Sequence, residues 1–231
     1  MSGDVSRQRP EDDDNKRSET EGDGVLSPLR QFGEEWRAEI DGRLKTTRDA
    51  FISTLLENPG KDSWHAEIST YADALHRAGV TDSQVAQLHL VAAEISVTYD
   101  QKVQGIRESS NPPPHFFENA RVSRVEWDAF NEYSLRAAQE RASDQLMICT
   151  LALERRLFSE HTPEYRERQH GIDALLHQRK AEAEMDQDKA WHAELEGSRN
   201  DQAIYEFLNW AKSQFLERLR DIITRFDAPS S

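Results

Sequence analysis

A long, highly charged stretch from Ser123 to Leu195 constrains the fold of this chain more than any other feature. It divides into two helical segments at Glu160–Pro163. There, Thr162-Pro163-Glu164 has a typical capping residue followed by the proline that is favoured at the first position of a helix. Because the break is short, the pattern predicts two long helices folded back on each other as a hairpin.

The first arm of this hairpin begins at a predicted capping box, Ser123-Arg124-Val125-Glu126. It is expected to reach Glu160, a length of about 38 residues or about 57 Å. Small residues occupy the middle of its apolar stripe, so a neighbouring helix could approach closely there. The stripe consists of Trp127, Phe130, Ser134, Ala138, Ala142, Leu146, Cys149, Leu153 and Leu157.

The second arm is expected to run from Thr162 to about Leu195, and it has few apolar residues of its own. Between His177 and Ala190 its only apolar residues are alanines and Met185. This composition is typical of a helix that is largely solvated or that requires a partner.

A sixth helix is predicted to start at Gly197–Asn200 and to close the hairpin. Its apolar residues recur at steps of three and four and indicate a strong seam that must pack against something. The seam consists of Ile204, Leu208, Ala211, Phe215, Leu219, Ile222 and Phe226.

The N-terminal part of the chain, residues 26–109, predicts three more helices. The first begins at Ser27-Pro28 and ends at Asn58-Pro59-Gly60, and the second spans about Asp62 to Ala78. Thr81–Gln84 has a capping-box sequence, so the third helix must form a hairpin or a sharp corner with the second. The third helix has the most regular stripe of this half, at Val85, Leu88, Ala92, Ile95, Tyr99, Val103 and Ile106.

Sharp changes in composition mark the predicted boundaries. Residues 1–25 are polar, with eight acidic and four basic residues up to Gly24, and are predicted to be a disordered acidic tail. Pro112–Pro114 cannot be helical, so residues 110–114 are expected to connect the N-terminal unit to the hairpin and closing helix, 115–227. A proline-rich ligand for a binding groove is an alternative role for this connector. Residues 228–231 are also predicted to be disordered.

The predicted fold class is therefore all-α, with about six helices. Hydrophobic residues make up 36% of the chain and charged residues 31%, against roughly 45–50% and about 25% in typical soluble proteins. Such a composition fits elongated helical packing in which each helix buries only a narrow stripe. No segment shows convincing strand alternation.

The formal net charge of −14 disfavours nucleic acids and anionic membranes as partners, because both are themselves negatively charged. No run approaches the roughly 18–20 apolar residues that span a bilayer, and the N-terminus lacks the apolar region of a secretory signal. A cytoplasmic protein is expected. The single cysteine, Cys149, excludes an intrachain disulfide and is interpreted as a buried structural thiol.

Metal and haem sites have weak support in the sequence. Glu167-Arg168-Gln169-His170 is the only Glu-x-x-His match, whereas a di-iron bundle needs two of these and two further glutamates. His76 and His89 flank the predicted corner, but the chain ahead of His76 is too short to wall a haem pocket. No metal or other cofactor is predicted.

Enzymatic activity also has little support. The chain lacks the Gly-x-x-x-x-Gly-Lys phosphate loop, and no Ser, His and Asp triad can be assembled from sequence alone. A highly charged all-helical chain offers few apolar pockets of ligand size. A non-enzymatic protein is therefore predicted.

The five tryptophans are candidate anchors. Trp36, Trp64, Trp127 and Trp210 lie on or near predicted stripes and are expected in the core. Trp191 has few apolar neighbours at helical spacing, so it either packs beneath the sixth helix or serves as an exposed binding anchor.

The leading hypothesis is a structural or adaptor protein that presents long helices to protein partners, self-association included. The runner-up is a regulatory or sensory helical domain whose N-terminal unit responds to a small ligand, and the third is a metal- or haem-binding protein or enzyme. The candidate partner-binding residues lie in the polar second arm: Trp191, His177, Arg179, Lys180, Glu184, Asp188 and Glu194.

Overall fold

The structure is a computed structural model that describes residues 33–57, 65–110, 112, 117 and 123–227. Within these residues it contains six α-helices and no strand, which confirms the all-α prediction. The helices are α1 (Glu34–Glu57), α2 (His65–Arg77), α3 (Asp82–Ser109), α4 (Arg124–Arg155), α5 (Pro163–Leu195) and α6 (Arg199–Asp227).

Several sequence predictions fall outside the described residues. These are the two disordered ends, 1–25 and 228–231, the helix start at Ser27-Pro28, the position of Trp64, and most of the connector 110–114.

Local hydrogen bonds set three of the helix starts, as predicted. Thr81 and Ser123 each form a complete capping box, with Gln84 and Glu126 respectively. The Thr162 hydroxyl accepts a hydrogen bond from the Tyr165 amide. In each case a side chain satisfies a backbone N–H that has no partner within the helix.

The end of α4 differs from the prediction. The helix stops at Arg155 instead of Glu160, and a tighter turn follows in which the Leu157 amide donates to the Glu154 carbonyl at 3.0 Å. Leu157 and Phe158 leave the helix and are buried in the core. Burial of these two side chains is the physical reason for the earlier end.

The fourth helix lies at the centre of the molecule and packs against α1, α3, α5 and α6. One hydrophobic core joins the N-terminal helices to the hairpin, and it includes Leu44 of α1, Leu75 of α2, Leu88 of α3, Leu146 of α4 and Ile222 of α6. The N-terminal unit and the hairpin therefore share a single core.

The polar second arm, α5, is covered on one side. Four of its residues in the C-terminal half are buried: Ala183, Asp186, Ala190 and Ala193. Asp186 Oδ2 lies 2.5 Å from Lys212 Nζ, which places this side against α6. Nine of the fourteen residues from 177 to 190 are exposed, which agrees with the expectation of a largely solvated helix. The alanines on the covered side allow a close contact between helices.

Candidate protein-binding surface

The apolar seam of α6 is buried along only part of its length. In the C-terminal half, Leu219, Ile222 and Phe226 are buried, as predicted. In the N-terminal half, Ile204 is 48% exposed and Leu208 is 37% exposed. The predicted seam is therefore only partly covered in the first half of α6.

The apolar stripe of α4 is uncovered in the same way at its start. Phe130 is 57% exposed and its neighbour Tyr133 is 68% exposed, whereas Ala138 and Ala142 are buried. Burial of Phe130 was predicted, and this prediction is wrong. Trp127, one turn earlier, is only half-buried, and its indole N–H donates to the Ser109 carbonyl at 3.0 Å.

These two exposed regions belong to neighbouring helices. The Arg141 guanidinium of α4 lies over the Phe215 ring of α6, 5.6 Å from its centroid, and Arg155 pairs with Asp227 at the far ends of the same helices. The helices α4 and α6 therefore run in the same direction. Phe130 precedes Arg141, and Ile204 precedes Phe215, by the same number of residues. The two residues are therefore at the same height along the parallel helices.

The exposed residues also share helix faces with that contact. Phe130 precedes Arg141 by about three helical turns, and Ile204 precedes Phe215 by the same interval, so each pair lies on one side of its helix. Helices in direct contact are about 8–10 Å apart and bury the side chains between them. We name the uncovered region the apolar cleft, defined by Phe130, Tyr133, Ile204, Phe207 and Leu208.

A cavity of about 200 Å³ lies where the cleft reaches the packed part of the bundle. Its lining combines apolar and charged groups: Tyr133, Ala137, Arg141, Arg179, Lys212 and Phe215. The base of the cleft is therefore polar and charged, and the apolar part is its open end.

Arg179 is one of the ion-paired groups in this cavity. Its Nε donates to Asp144 at 2.6 Å, and its Nη1 lies 2.9 Å from Glu182. Burial opposes the charge of Arg179, but hydrogen bonds and charges from both carboxylates raise its pKa overall. Burial raises the pKa of Asp144, against the lowering effect of Arg179. Arg179 thus has a structural role in holding α4 and α5 together.

The other six residues predicted for partner binding lie on the surface of α5 and do not define the cleft. His177, Lys180, Glu184, Asp188, Trp191 and Glu194 are all exposed. Lys180 lies 3.5 Å from Glu184. Trp191 is 58% exposed, so of its two predicted environments the structure shows the exposed one. Leu195, one turn further along, is also exposed.

Another tryptophan departs from its prediction. Trp210 is exposed rather than in the core, and its ring lies 5.9 Å from that of Phe207, at the outer side of the cleft. Tyr133 and Phe207 were not singled out from sequence. Both are aromatic residues beside a predicted stripe. A wider apolar face on each helix is therefore the sequence signal that could have identified them.

Two residues of the histidine and glutamate motifs form contacts within the chain. Glu167 accepts a hydrogen bond from Lys45 at 2.6 Å, and His76 Nδ1 lies 3.1 Å from the Val80 carbonyl at the corner between α2 and α3. Within the described part of the chain, no group of three or more His, Cys, Asp or Glu side chains is placed to hold a metal ion.

A second cavity, of about 390 Å³, lies between α1, α4 and α5. Its lining includes Lys45, Met147, Leu151, His170, Gly171 and Leu175. Its charged side chains already have partners, since Lys45 is paired with both Asp41 and Glu167.

A scan against protein-family models, a search of curated proteins and a search of solved structures each find no match to this chain. None of the helices in the described ranges combines the length and the apolar character needed to cross a membrane.

Proposed function

We propose that this protein is a non-enzymatic structural or adaptor protein that binds other proteins through its long helices. The observation that supports this most directly is the apolar cleft. Large apolar side chains on two neighbouring helices are exposed together, at the point where both helices continue a stripe that is buried further along.

The physical argument is that exposed apolar area costs free energy, about 25 cal/mol per Å² relative to burial. Single exposed apolar residues are common, but contiguous aromatic surfaces mark binding sites on soluble proteins. Phe130, Tyr133 and Phe207 provide three aromatic rings, and aromatic residues are enriched at the centres of interfaces. A bound partner would cover the area that this chain leaves open.

The exposed side of α5 provides a second surface within the same proposal. Trp191 and Leu195 supply apolar contacts, and Lys180, Glu184 and Asp188 supply charges that select a partner and its register. The cleft has more apolar residues and is therefore proposed as the main surface. The partners include, as one case, a second copy of this chain.

The cleft is tested by affinity purification of the full chain and by light scattering of the purified protein. The double variant Tyr133→Ala/Phe207→Ala removes two rings of the cleft. The matched control, Leu90→Ala/Val97→Ala, removes two exposed apolar side chains from α3. We expect bound proteins or self-association to be lost in the cleft variant and retained in the control.

If the cleft variant and the control recover the same partners, with the same molar mass, the cleft is not the binding surface. Trp191→Ala and a charge reversal across residues 178–190 test the α5 surface separately. Unchanged binding in those two variants would exclude α5, while leaving the result for the cleft intact.

A second candidate function is a regulatory response to a small ligand. The cavity of about 390 Å³ favours it, because ligand pockets usually measure about 300–1,000 Å³ and because α1 of the N-terminal unit forms one wall. An absorption spectrum and native mass spectrometry of the purified protein test this candidate. A bound small molecule would support it, and a mass equal to that of the chain alone would count against it.

A further inference from the structure

We infer that the occupant of the apolar cleft is an amphipathic helix with lysine or arginine residues beside its apolar face. This inference rests on the proposed protein-binding function and adds the chemical class of the partner.

The shape of the surface favours a helix. The cleft lies between the starts of two helices that run in the same direction and converge at Arg141 and Phe215. A third helix placed there would extend the bundle by the packing that joins α4 and α6 further along. The described residues contain no strand, so they offer no sheet edge to which an extended peptide could add.

The cations at the base of the cleft, Arg141, Arg179 and Lys212, line its cavity, whereas the charge at the open end of the cleft favours a basic partner. Glu126 and Asp201 lie on the cleft sides of α4 and α6, and Glu206 lies on the side of α6 that faces away from Phe215. None of the three forms an ion pair with another described residue. Their hydrogen-bond donors are neutral: Ser123 for Glu126, Ser198 for Asp201 and Gln202 for Glu206. The three negative charges are therefore uncompensated.

The carboxylate of Glu126 carries one of these negative charges. Hydrogen bonds from the Ser123 hydroxyl and backbone lower the pKa of Glu126, so its carboxylate is ionised at neutral pH. On the same helix, Arg124 and Arg136 are already paired with Asp128 and Glu132.

The adjoining end of the α5–α6 hairpin is acidic as well. Exposed residues between positions 184 and 210 include six acids and two bases. The acids are Glu184, Asp188, Glu194, Glu196, Asp201 and Glu206, and the bases are Lys189 and Arg199. Cationic side chains on a partner would lower the energy of this arrangement and steer its approach.

A second copy of the chain fits this surface less well. It has the same net charge of −14, and an interface between two identical clefts would bring like charges together. Residues 1–25, with eight acids and four bases up to Gly24, likewise have the wrong charge for the cleft.

The probe is a synthetic amphipathic peptide of leucine and lysine at helical spacing, and a leucine–glutamate peptide of the same pattern is its control. Binding to the full chain is measured by isothermal titration calorimetry at low and at moderate salt. We expect the lysine peptide to bind and the glutamate peptide not to bind.

Two variants and two matched controls locate the site. Tyr133→Ala/Phe207→Ala is expected to weaken binding at least about tenfold, as is typical for loss of interface hot spots. Glu126→Gln/Asp201→Asn/Glu206→Gln is expected to weaken it several-fold and to reduce the salt dependence. The control for the aromatic variant is Leu90→Ala/Val97→Ala. The control for the acid variant neutralises exposed acids of α1 and α2, in Glu39→Gln/Glu57→Gln/Asp73→Asn. Both controls should bind the lysine peptide like wild type. Circular dichroism verifies that every variant is folded.

Several outcomes would overturn the inference. Equal losses in the control acid variant would show non-specific attraction, and equal binding of the glutamate peptide would show that charge does not matter. A dimer that dissociates in the Tyr133→Ala/Phe207→Ala variant would identify a second copy as the occupant. If the lysine peptide fails to bind while partner capture still depends on Tyr133 and Phe207, the partner class is wrong and the proposed function stands. If neither depends on these residues, both are wrong.

Discussion

Arg168 Nη2 lies 2.9 Å from Glu154 Oε2, and the two side chains are 1% and 0% exposed respectively. Arg48 Nη1 donates to the same carboxylate at 3.0 Å, and the Tyr71 hydroxyl donates to its other oxygen at 2.8 Å. Four helices, α1, α2, α4 and α5, thus meet at one buried carboxylate. Arg168 also pairs with Asp41, which balances the charge. A buried charge is tolerated only when it is paired and hydrogen-bonded in this way.

Removal of this carboxylate should be among the most destabilising single changes in the chain. Glu154→Ala leaves Arg48 and Arg168 buried without their shared partner, so we expect a loss of about 3–5 kcal/mol in the free energy of unfolding. Urea denaturation followed by circular dichroism measures it. Asp128→Ala, which breaks an exposed pair with Arg124, is the control and should cost less than about 1 kcal/mol. Similar losses for the two variants would contradict a structural role for the cluster.

Tyr71 should make the protein sensitive to alkali. Burial raises its pKa well above 10.0, and the charge and hydrogen bond of Glu154 add to the effect. The folded state therefore holds the proton more tightly than the unfolded chain does. This contribution to stability is complete below the unfolded pKa of about 10 and is lost as the pH rises above it.

The urea midpoint measured from about pH 8 to about pH 11 tests this expectation. Wild type should lose stability at the upper end, and Tyr71→Phe should be less stable at all pH values but should lose less with rising pH. Tyr133→Phe, an exposed control, should follow wild type. A Tyr71→Phe profile parallel to wild type would show that ionisation of Tyr71 is not the cause.

Cys149 should be unreactive in the folded protein. The thiol is fully buried, and burial raises its pKa, which disfavours the thiolate that reacts with disulfide reagents. We expect slow modification of the native protein and rapid modification in denaturing urea, with Cys149→Ala as the blank. Rapid labelling of the native protein would mean that α4 opens readily at this position.

Two helical glycines should respond in different ways to alanine. A Cβ at Gly171 would lie 3.0 Å from Leu151 Cδ1, whereas one at Gly42 would meet nothing within 4 Å. Gly42→Ala should stabilise the protein by about 0.5–1 kcal/mol through helix propensity. Gly171→Ala gains the same propensity but crowds α5 against α4, so its free energy of unfolding should be lower than that of Gly42→Ala. Equal stabilisation would show that Leu151 moves aside without cost.

Helix starts could be predicted from sequence because the interactions that set them are local. A side chain at Thr81, Ser123 or Thr162 bonds a backbone amide three residues away, and the pattern is visible in the chain itself. The end of α4 could not be predicted in this way. Burial of Leu157 and Phe158 against distant helices is what ends it at Arg155.

The candidate binding surface also combines features that local sequence determines with features that contacts between helices determine. Helical periodicity indicated an apolar stripe on α4 and on α6, and the later members of each stripe are buried. Ile204 is exposed and Phe226 is buried, although both belong to the same apolar stripe. The spacing of residues within one helix holds no information about the path of the neighbouring helices, so it could not predict this difference. Only the tertiary structure decided that α4 covers the end of α6 and leaves its beginning open, and that alanines of α5 lie against α6 while Trp191 faces solvent.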